Sequence, residues 1–283
     1  MAAATALGLL TACASNSTTT GNAPSGAPST APAGTATSPT SSTSTGTSAW
    51  SPPPASPSTT RLMPPTAGSA AKTVAGVDVS AYQPKVDWPA VADSGARFTW
   101  IKVSEGTTWT NRYRTEQRRG ARAAGLFTGG YHYARPKNSS GAEQARHFVR
   151  SGGGWQADGR TLPGALDLEK NPDGAACYGK TSGQMVSWIR DFTRTYREQT
   201  GRNAVIYVRA DWWSECTGDN TTFAATNPLW LYDHEGPMGP VPAGWKSPTV
   251  WQYGVRNGLD RNRFLGTQAG LNAWAKEPGG RAS

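Results

Sequence analysis

Charged residues are almost absent from the first quarter of this sequence. Between Ala14 and about Ala70 nearly every residue is Ser, Thr, Ala, Pro or Gly, and Arg61 carries the single charge. Such a composition lacks the apolar side chains whose burial offsets the entropy lost on folding. We therefore predict a disordered tether over residues 14–70. Eleven of the twelve Trp follow it, which places one folded domain in residues 71–283.

Cysteine is also scarce, with three in 283 residues. The first, Cys13, ends the apolar run MAAATALGLLTAC, whose last four residues follow the pattern of a bacterial lipobox. The run lacks the Lys or Arg that opens a signal peptide, so a plain apolar N-terminus is the alternative. We predict a signal peptide over residues 1–13 and a lipid on Cys13. The protein is then anchored to the outer face of the cell membrane or secreted.

Cys177 and Cys216 remain as an even pair in an exported domain, which favours a disulfide between them. Metal binding needs more ligands than two distant Cys and three scattered His provide. No Gly-rich phosphate loop opens a helix. We therefore predict neither a metal site nor a cofactor.

The net charge is +9, from 28 Lys and Arg against 19 Asp and Glu. A basic protein can meet nucleic acid, but the sequence has no pattern typical of a recognition helix. An anionic surface such as a bacterial wall or membrane is the other partner that this charge suits. We favour the wall and expect no nucleic acid, with a merely solubilising charge as the alternative.

Strand-like apolar runs alternate with helix-like stretches along the domain. This order is typical of a parallel α/β sheet, and six to eight such units favour a closed barrel, in which the chemistry lies at the C-terminal ends of the strands. The predicted strands are 73–80, 97–106, 126–136, 162–169, 204–210, 228–232 and 248–253, and the predicted helices are 88–94, 112–124, 141–151, 182–200 and 267–276.

Two acids interrupt the apolar run ALDLEK at 165–170. Side chains alternate across a strand, so Leu166 and Leu168 share one face while Asp167 and Glu169 share the other, about 6.6 Å apart. At that separation the two charges raise the proton affinity of at least one carboxyl. One protonated and one ionised carboxyl are what glycoside cleavage requires. The alternative is a polar pair at a strand end.

Other strand ends carry further acids and aromatic rings. Asp78 lies in the first strand, and Asp260 follows the strand-like WQY at 251–253. Each could instead cap a helix or close a turn. Rings at a barrel mouth suit stacking on sugars, although many rings belong to the core. The rings predicted to bind substrate are Tyr131, Tyr133, Tyr207 and Trp230, whereas we expect a structural hydrogen-bonding role for His132.

The motifs AGVDVSAYQ, WIKVSEGT, GGYHYARP, LPGALDLEKNP, AVIYV and WQY with LDRNRF resemble, in this order, those of the lysozymes of glycoside hydrolase family 25. CYGKTSGQMVSWIRDF and ADWWSECTG are similar to the secreted N-acetylmuramidases of that family from filamentous Gram-positive bacteria. The resemblance covers about Val74 to Ala275. It implies an irregular, TIM-like (β/α) barrel with fewer than eight helices.

The resemblance also implies cleavage of the β-1,4 bond from N-acetylmuramic acid to N-acetylglucosamine. Glu169 matches the general acid, and Asp167 matches the residue that orients the substrate's own 2-acetamido group for attack. The remaining matches are the supporting acids Asp78 and Asp260, the site tyrosines Tyr131 and Tyr207, and the disulfide of Cys177 with Cys216. The implied partner is a peptidoglycan glycan strand, and we expect the protein to be a monomer.

Two segments depart from the family pattern. Only GVRNGL separates WQY from Asp260, and LYDHEG leaves His234 near the position of an expected aromatic. Both segments are predicted to border the cleft and to affect which sugars it accepts. Two other functions stay open: a wall-binding module with weak catalysis, and a glycosidase that acts on another N-acetylhexosamine polymer.

Overall fold

The computed structural model describes residues 73–234 and 236–276. Cys13 and the predicted tether lie outside these residues. The strands are β1 Val74–Val79, β2 Phe98–Glu105, β3 Trp109–Thr110, β4 Phe127–Tyr133, β5 Ala165–Leu168, β6 Val205–Val208, β7 Leu229–Tyr232, β8 Val250–Arg256 and β9 Leu259–Phe264. The α-helices are α1 Trp88–Asp93, α2 Arg114–Ala123, α3 Gly141–Phe148, α4 Ser182–Thr200, α5 Ala210–Thr217 and α6 Gln268–Lys276.

Eight of these strands close into a barrel in the order β1-β9-β8-β7-β6-β5-β4-β2, and a parallel pairing of β2 with β1 completes the ring. The described part of the chain has six α-helices around it. The predicted α/β barrel with fewer than eight helices is therefore confirmed. None of the six helices is long and apolar enough to span a membrane.

The sheet is not wholly parallel, which corrects the sequence prediction. Strand β9 lies antiparallel between β8 and β1. A two-residue turn joins β8 to β9, and its residues Asn257 and Gly258 both have positive φ, 55° and 71°. Asn-Gly is the preferred sequence for such a hairpin. The short segment before Asp260 is thus a tight hairpin, and Asp260 belongs to a barrel strand that was not predicted. Strand β3 and helix α5 were not predicted either.

Alternation along each strand divides the core into two layers. Residues that point inward, such as Ala165 and Val205, pack with Trp100 and Trp230 inside the barrel. Residues that point outward, such as Leu166, pack between the sheet and helices α3 to α5. Inward positions near the C-terminal ends of the strands are therefore the ones available to line a site.

His132 lies wholly buried in the outer layer. Its Nδ1 accepts from the Ser104 hydroxyl and its Nε2 donates to Gln144 Oε1, both at 2.9 Å. The Gln144 amide nitrogen donates elsewhere, to Arg135 O and Ser139 Oγ, which fixes this choice of tautomer. Burial lowers the pKa of His132 to about 3, so the ring stays neutral. The predicted structural role of His132 is confirmed.

The predicted disulfide is present between Cys177 and Cys216. Cys177 lies in the segment after β5, and Cys216 is a buried residue of α5. The bond therefore ties the chain that follows Asp167 and Glu169 to the helix that follows β6.

Candidate active site

A cavity of about 250 Å³ opens at the C-terminal ends of the barrel strands. It contains all four predicted acids and three of the four predicted aromatic residues. Among residues 73–234 and 236–276 no group of three or more His, Cys, Asp or Glu is arranged to hold a metal ion. The lining residues are Asp78, Tyr131, Asp167, Glu169, Tyr207, Trp230, Tyr232, His234, Gln252 and Asp260.

Strand β5 delivers two of these acids by the alternation of its side chains. Leu168 packs in the outer layer with Leu166, whereas Asp167 turns inward and is 5% exposed. The carboxyls of Asp167 and Glu169 interact directly, since each shifts the pKa of the other. Two carboxylates that lie close together repel one another unless one of them is protonated. The end of β5, which Glu169 follows directly, therefore presents an interacting carboxyl pair.

Burial raises the pKa of both members of this pair. For Asp167 the next cause is the charge of Glu169, and for Glu169 the contact with Asp167 acts in the opposite direction. Lys102 lowers both pKa values, but it is already in a salt bridge with Glu105 at 2.7 Å. Oδ1 of Asp167 is buried without a hydrogen-bond donor. Both carboxyls therefore hold a proton more tightly than in water, and an acceptor atom that no donor reaches lies beside them.

Asp78 forms the centre of a hydrogen-bond network on β1, which β2 and β4 separate from β5 around the barrel. Its Oδ2 accepts from Gln252 Nε2 at 2.8 Å and from Asn262 Nδ2 at 2.7 Å. Burial, followed by the charge of Asp260, raises the pKa of Asp78 to about 7. Asp260 pairs with Asp78 in the register of β1 and β9, and burial raises its pKa as well.

The two amides of this network are functional residues that the sequence prediction missed. Gln252 Oε1 accepts from the Tyr207 hydroxyl at 2.9 Å and lies 3.0 Å from His234 Nε2. Asn262 Oδ1 accepts from the Trp230 indole at 2.8 Å. Gln252 was visible in WQY, but Asn262 required strand β9 to be recognised first. The Asn-Gly turn followed by alternation was the signal for it.

The aromatic residues play unequal parts in the cavity. Tyr207 is buried and Tyr131 is partly buried. Burial and the nearby acids raise the pKa of both phenols, so both keep their hydroxyl protons. Trp230 is 1% exposed, because Trp100 stacks on it and Tyr207 contacts it edge-on, each with ring centroids 4.8 Å apart. Trp230 therefore forms the floor and offers no open face for a sugar ring.

Tyr133 lies outside the cavity lining. The centroid of its ring lies 4.4 Å from Lys102 Nζ and 5.1 Å from the Arg135 guanidinium. Burial, followed by the charge of Glu169, raises the pKa of Tyr133. Tyr133 therefore lies beside the carboxyl pair, and its ring packs against Lys102 and Arg135.

A second cavity of about 430 Å³ adjoins the first and shares Glu169, Tyr207 and Tyr232 with it. Its other lining includes Lys170 and Arg209. Arg209 Nε donates to Asp211 Oδ1 at 3.0 Å, and its guanidinium lies 5.2 Å from the Tyr232 ring centroid. Glu169 thus stands between two adjacent spaces.

The raised pKa of Asp78 predicts a pH-dependent cost in stability. Between its usual value of 3.8 and about 7, the folded state holds a proton that the unfolded state has lost, so stability falls as pH rises. In Asp78→Asn this cost disappears, while the amide oxygen can accept the same two bonds. We expect the variant to be about 2 kcal/mol more stable than the parent at pH 7.5, which is less than the full shift gives because neighbouring acids share protons. Urea unfolding at pH 4.5 and 7.5 measures this, and an equal difference at both pH values would contradict it.

Known proteins resemble this chain in sequence and in structure. Residues 77–259 match the model of the glycosyl hydrolases family 25. Lysozyme M1 of Streptomyces globisporus is 44% identical over 210 residues, which cover 71% of this chain and 71% of that protein. An N,O-diacetylmuramidase of Chalaropsis is 44% identical over 184 residues, covering 64% of this chain and 87% of that protein.

Solved structures give the same result. A family 25 lysozyme from Aspergillus fumigatus superposes with a TM-score of 0.71 at 43% identity, over 72% of this chain and 100% of the other. A lysozyme from Streptomyces coelicolor gives 0.70 at 43% identity, over 72% and 97%. This chain therefore belongs to family 25 of the glycosyl hydrolases and is a glycoside hydrolase.

Proposed function

We propose that this enzyme is a muramidase that hydrolyses the β-1,4 bond from N-acetylmuramic acid to N-acetylglucosamine in peptidoglycan. The observation that carries the proposal is the pair Asp167 and Glu169, two interacting carboxyls whose pKa values are both raised inside one cavity. Relatives that bear the names lysozyme and N,O-diacetylmuramidase support the same substrate class.

Glu169 is the general acid in this proposal. It reaches both cavities, so a sugar ring on each side places the bond between them at its carboxyl. The ring to be attacked occupies the smaller cavity, and the leaving sugar occupies the larger one. Glu169 gives its proton to the leaving oxygen as the bond from the anomeric carbon to that oxygen breaks.

Asp167 acts on the 2-acetamido group of the attacked sugar. Its buried, unpartnered Oδ1 suits the amide N–H of that group. Accepting this bond favours the ionised form of Asp167, and the negative charge of Asp167 then favours a protonated Glu169, as a general acid requires. The acetamido oxygen then forms a bond to the anomeric carbon while Asp167 stabilises the positive charge on the nitrogen. Water attacks next, with Glu169 as the base, and restores the acetamido group.

The remaining acids support the site from strands β1 and β9. Asp78 is fixed by two amide donors, and Asp260 pairs with it in the register of these two strands. In its ionised form, which predominates above about pH 7, Asp78 favours the positive charge that develops at the anomeric carbon. Tyr131 and Tyr207 keep their hydroxyl protons and are available to donate to the substrate.

Digestion of purified peptidoglycan tests the proposal against both alternatives. We expect new reducing ends, and mass analysis after borohydride reduction should find them on N-acetylmuramic acid. A wall-binding module would retain the polymer and release no reducing ends. A glycosidase for other N-acetylhexosamine polymers would cleave chitin oligosaccharides at least as fast as peptidoglycan.

We also propose that the protein works outside the cytoplasm as a monomer, held by a lipid on Cys13, with residues 14–70 as the link to the domain. The sequence pattern around Cys13 supports this. In a Gram-positive host, Cys13→Ser should move the protein from the membrane fraction to the medium. Membrane retention of that variant would refute the anchor, and a size-exclusion mass above that of one chain would refute the monomer.

A further inference from the structure

The positive charge of this protein is concentrated in one stretch of sequence. Residues 112–150 contain nine Arg and Lys against two Glu, a net charge of +7 out of the +9 of the whole chain. Helix α2 alone carries Arg114, Arg118, Arg119 and Arg122. None of these residues takes part in the proposed reaction, so the charge needs another explanation.

Hydrogen bonds gather this charge on one side of the barrel. Arg114 Nε donates to Ser151 O at 2.8 Å, and Arg118 Nη2 donates to Gly152 O at 2.6 Å. These bonds hold α2 against the turn that follows α3, which brings it beside Arg150. We call the following six residues the arginine face: Arg112, Arg114, Arg118, Arg119, Arg146 and Arg150.

The arginine face has no close ion pair. Within the described residues none of its six guanidinium groups forms a salt bridge, whereas Arg122, Arg135 and Arg194 each pair with a carboxylate. The two acids in the stretch offset only part of the charge: Glu116 is exposed on α2, and Glu143 is bonded to the cap residue of α3, with Arg146 as a further cause of its lowered pKa. Burial and then the charges of Arg122 and Arg114 lower the pKa of Arg118. Like charges held together in this way are stabilised by an external anion.

The shape of the face indicates a linear partner. Arg114 and Arg118 are one helical turn apart, about 6 Å along the axis. Arg112, Arg119, Arg146 and Arg150 are exposed. A guanidinium presents a fork of donors that matches phosphate oxygens. The residues lie on an outer surface, so a chain with regularly spaced charges contacts more of them than a small anion does.

We propose that the arginine face binds an anionic polyol-phosphate polymer of the cell wall. The choice of the wall as its source rests on the proposed function. The face also lies near the cleft, since His147, next to Arg146, contacts Trp109 O at 3.1 Å, and Lys102 lies 5.1 Å from the Trp109 ring centroid. Binding there holds the enzyme on the wall with the cleft beside the glycan. Single-stranded nucleic acid is the less suitable phosphodiester, because its binding sites place open aromatic rings among the cations, and the Tyr113 ring is covered by Arg112 at 4.8 Å.

A charge-reversal pair with a matched control tests the proposal. The full chain carrying Glu169→Gln serves as the background, so that no hydrolysis occurs during binding. In it, Arg119→Glu with Arg150→Glu changes the arginine face, and Arg190→Glu with Arg197→Glu makes the same charge change on exposed positions of α4. The probe is fluorescently labelled poly(glycerol phosphate), and anisotropy gives Kd over a range of salt concentrations.

We expect the arginine-face pair to weaken binding at least tenfold and to lower the slope of log K against log salt by about 1.4, or 0.7 for each lost phosphate contact. The α4 pair should weaken binding less than threefold. Equal losses in the two pairs, or no binding by the parent, would overturn the proposal. Equal affinity of the parent for single-stranded DNA or polyglutamate of the same charge would overturn the assignment to a wall phosphate polymer. Digestion of phosphate-free peptidoglycan by the same pairs with Glu169 intact should be unchanged, which separates this proposal from the proposed function.

Discussion

Replacing Glu169 with Gln should reduce peptidoglycan hydrolysis by about 10³-fold, within the range of about 10² to 10⁴ that a general acid contributes. Gln fills the same space but cannot give a proton to the leaving oxygen. It also removes a carboxyl whose pKa burial has raised, so the variant should be at least as stable as the parent at neutral pH. Reducing-end release measures the activity, and thermal unfolding measures the stability.

A role in proton donation can be separated from a role in positioning. On an N-acetylhexosaminide with a dinitrophenyl leaving group, which departs without a proton, the loss of kcat/KM in Glu169→Gln should be much smaller than on peptidoglycan, because kcat/KM reports the step in which the leaving group departs and not the later attack of water. Glu215→Gln changes an exposed acid of α5 and should leave both activities at the parental level. Equal losses on both substrates would contradict the assignment of Glu169 as the acid, since a positioning residue acts on every substrate alike.

The positions of Asp167 and Glu169 could be predicted because they depend on local geometry. In Leu166-Asp167-Leu168-Glu169 the strand period alone sends the leucines to the helical layer and the acids to the cavity. The alternation of strand and helix likewise predicted the barrel and the location of the site. Such features need only the direction of a side chain relative to its own strand.

The features that the prediction missed depend on contacts between distant parts of the chain. Asn262 donates to Asp78 across 184 positions of sequence, and it does so because β9 inserts antiparallel between β8 and β1. The covered ring of Trp230 depends on Trp100, which arrives from β2. The periodicity of a sequence predicts neither which strands pair with each other nor which side chains pack together inside a barrel.

The sequence shows where the charged residues lie along the chain, but the prediction used only their net charge. A net charge of +9 suggests an anionic partner without saying where it binds. The contacts of Arg114 and Arg118 with the turn after α3 bring separate parts of the chain together. The number of cationic residues can be counted in the sequence. That they lie on one surface follows only from the packing of α2 beside α3.

Removing the disulfide should have the second large effect. In the loop-entropy account, the bond across 39 positions between Cys177 and Cys216 stabilises the folded state by about 4 kcal/mol. Cys177→Ser with Cys216→Ser should therefore lower the free energy of unfolding by about that amount and the Tm by about 10 °C. Urea and thermal unfolding of the parent and the double variant measure the difference.

Activity at 25 °C should distinguish a stabilising bond from one that positions the site. Glu169 follows directly on β5, which pairs with β4 and β6 on its two sides, so its place does not depend on Cys177. We therefore expect the folded double variant to keep a kcat/KM within about twofold of the parent, because the loop model assigns the effect to the unfolded chain. Single variants should be destabilised as much as the double, since either one breaks the bond. A double variant that unfolds like the parent but loses activity would reverse this assignment and make the bond a support for the cavity that Glu169 shares with Lys170 and Arg209.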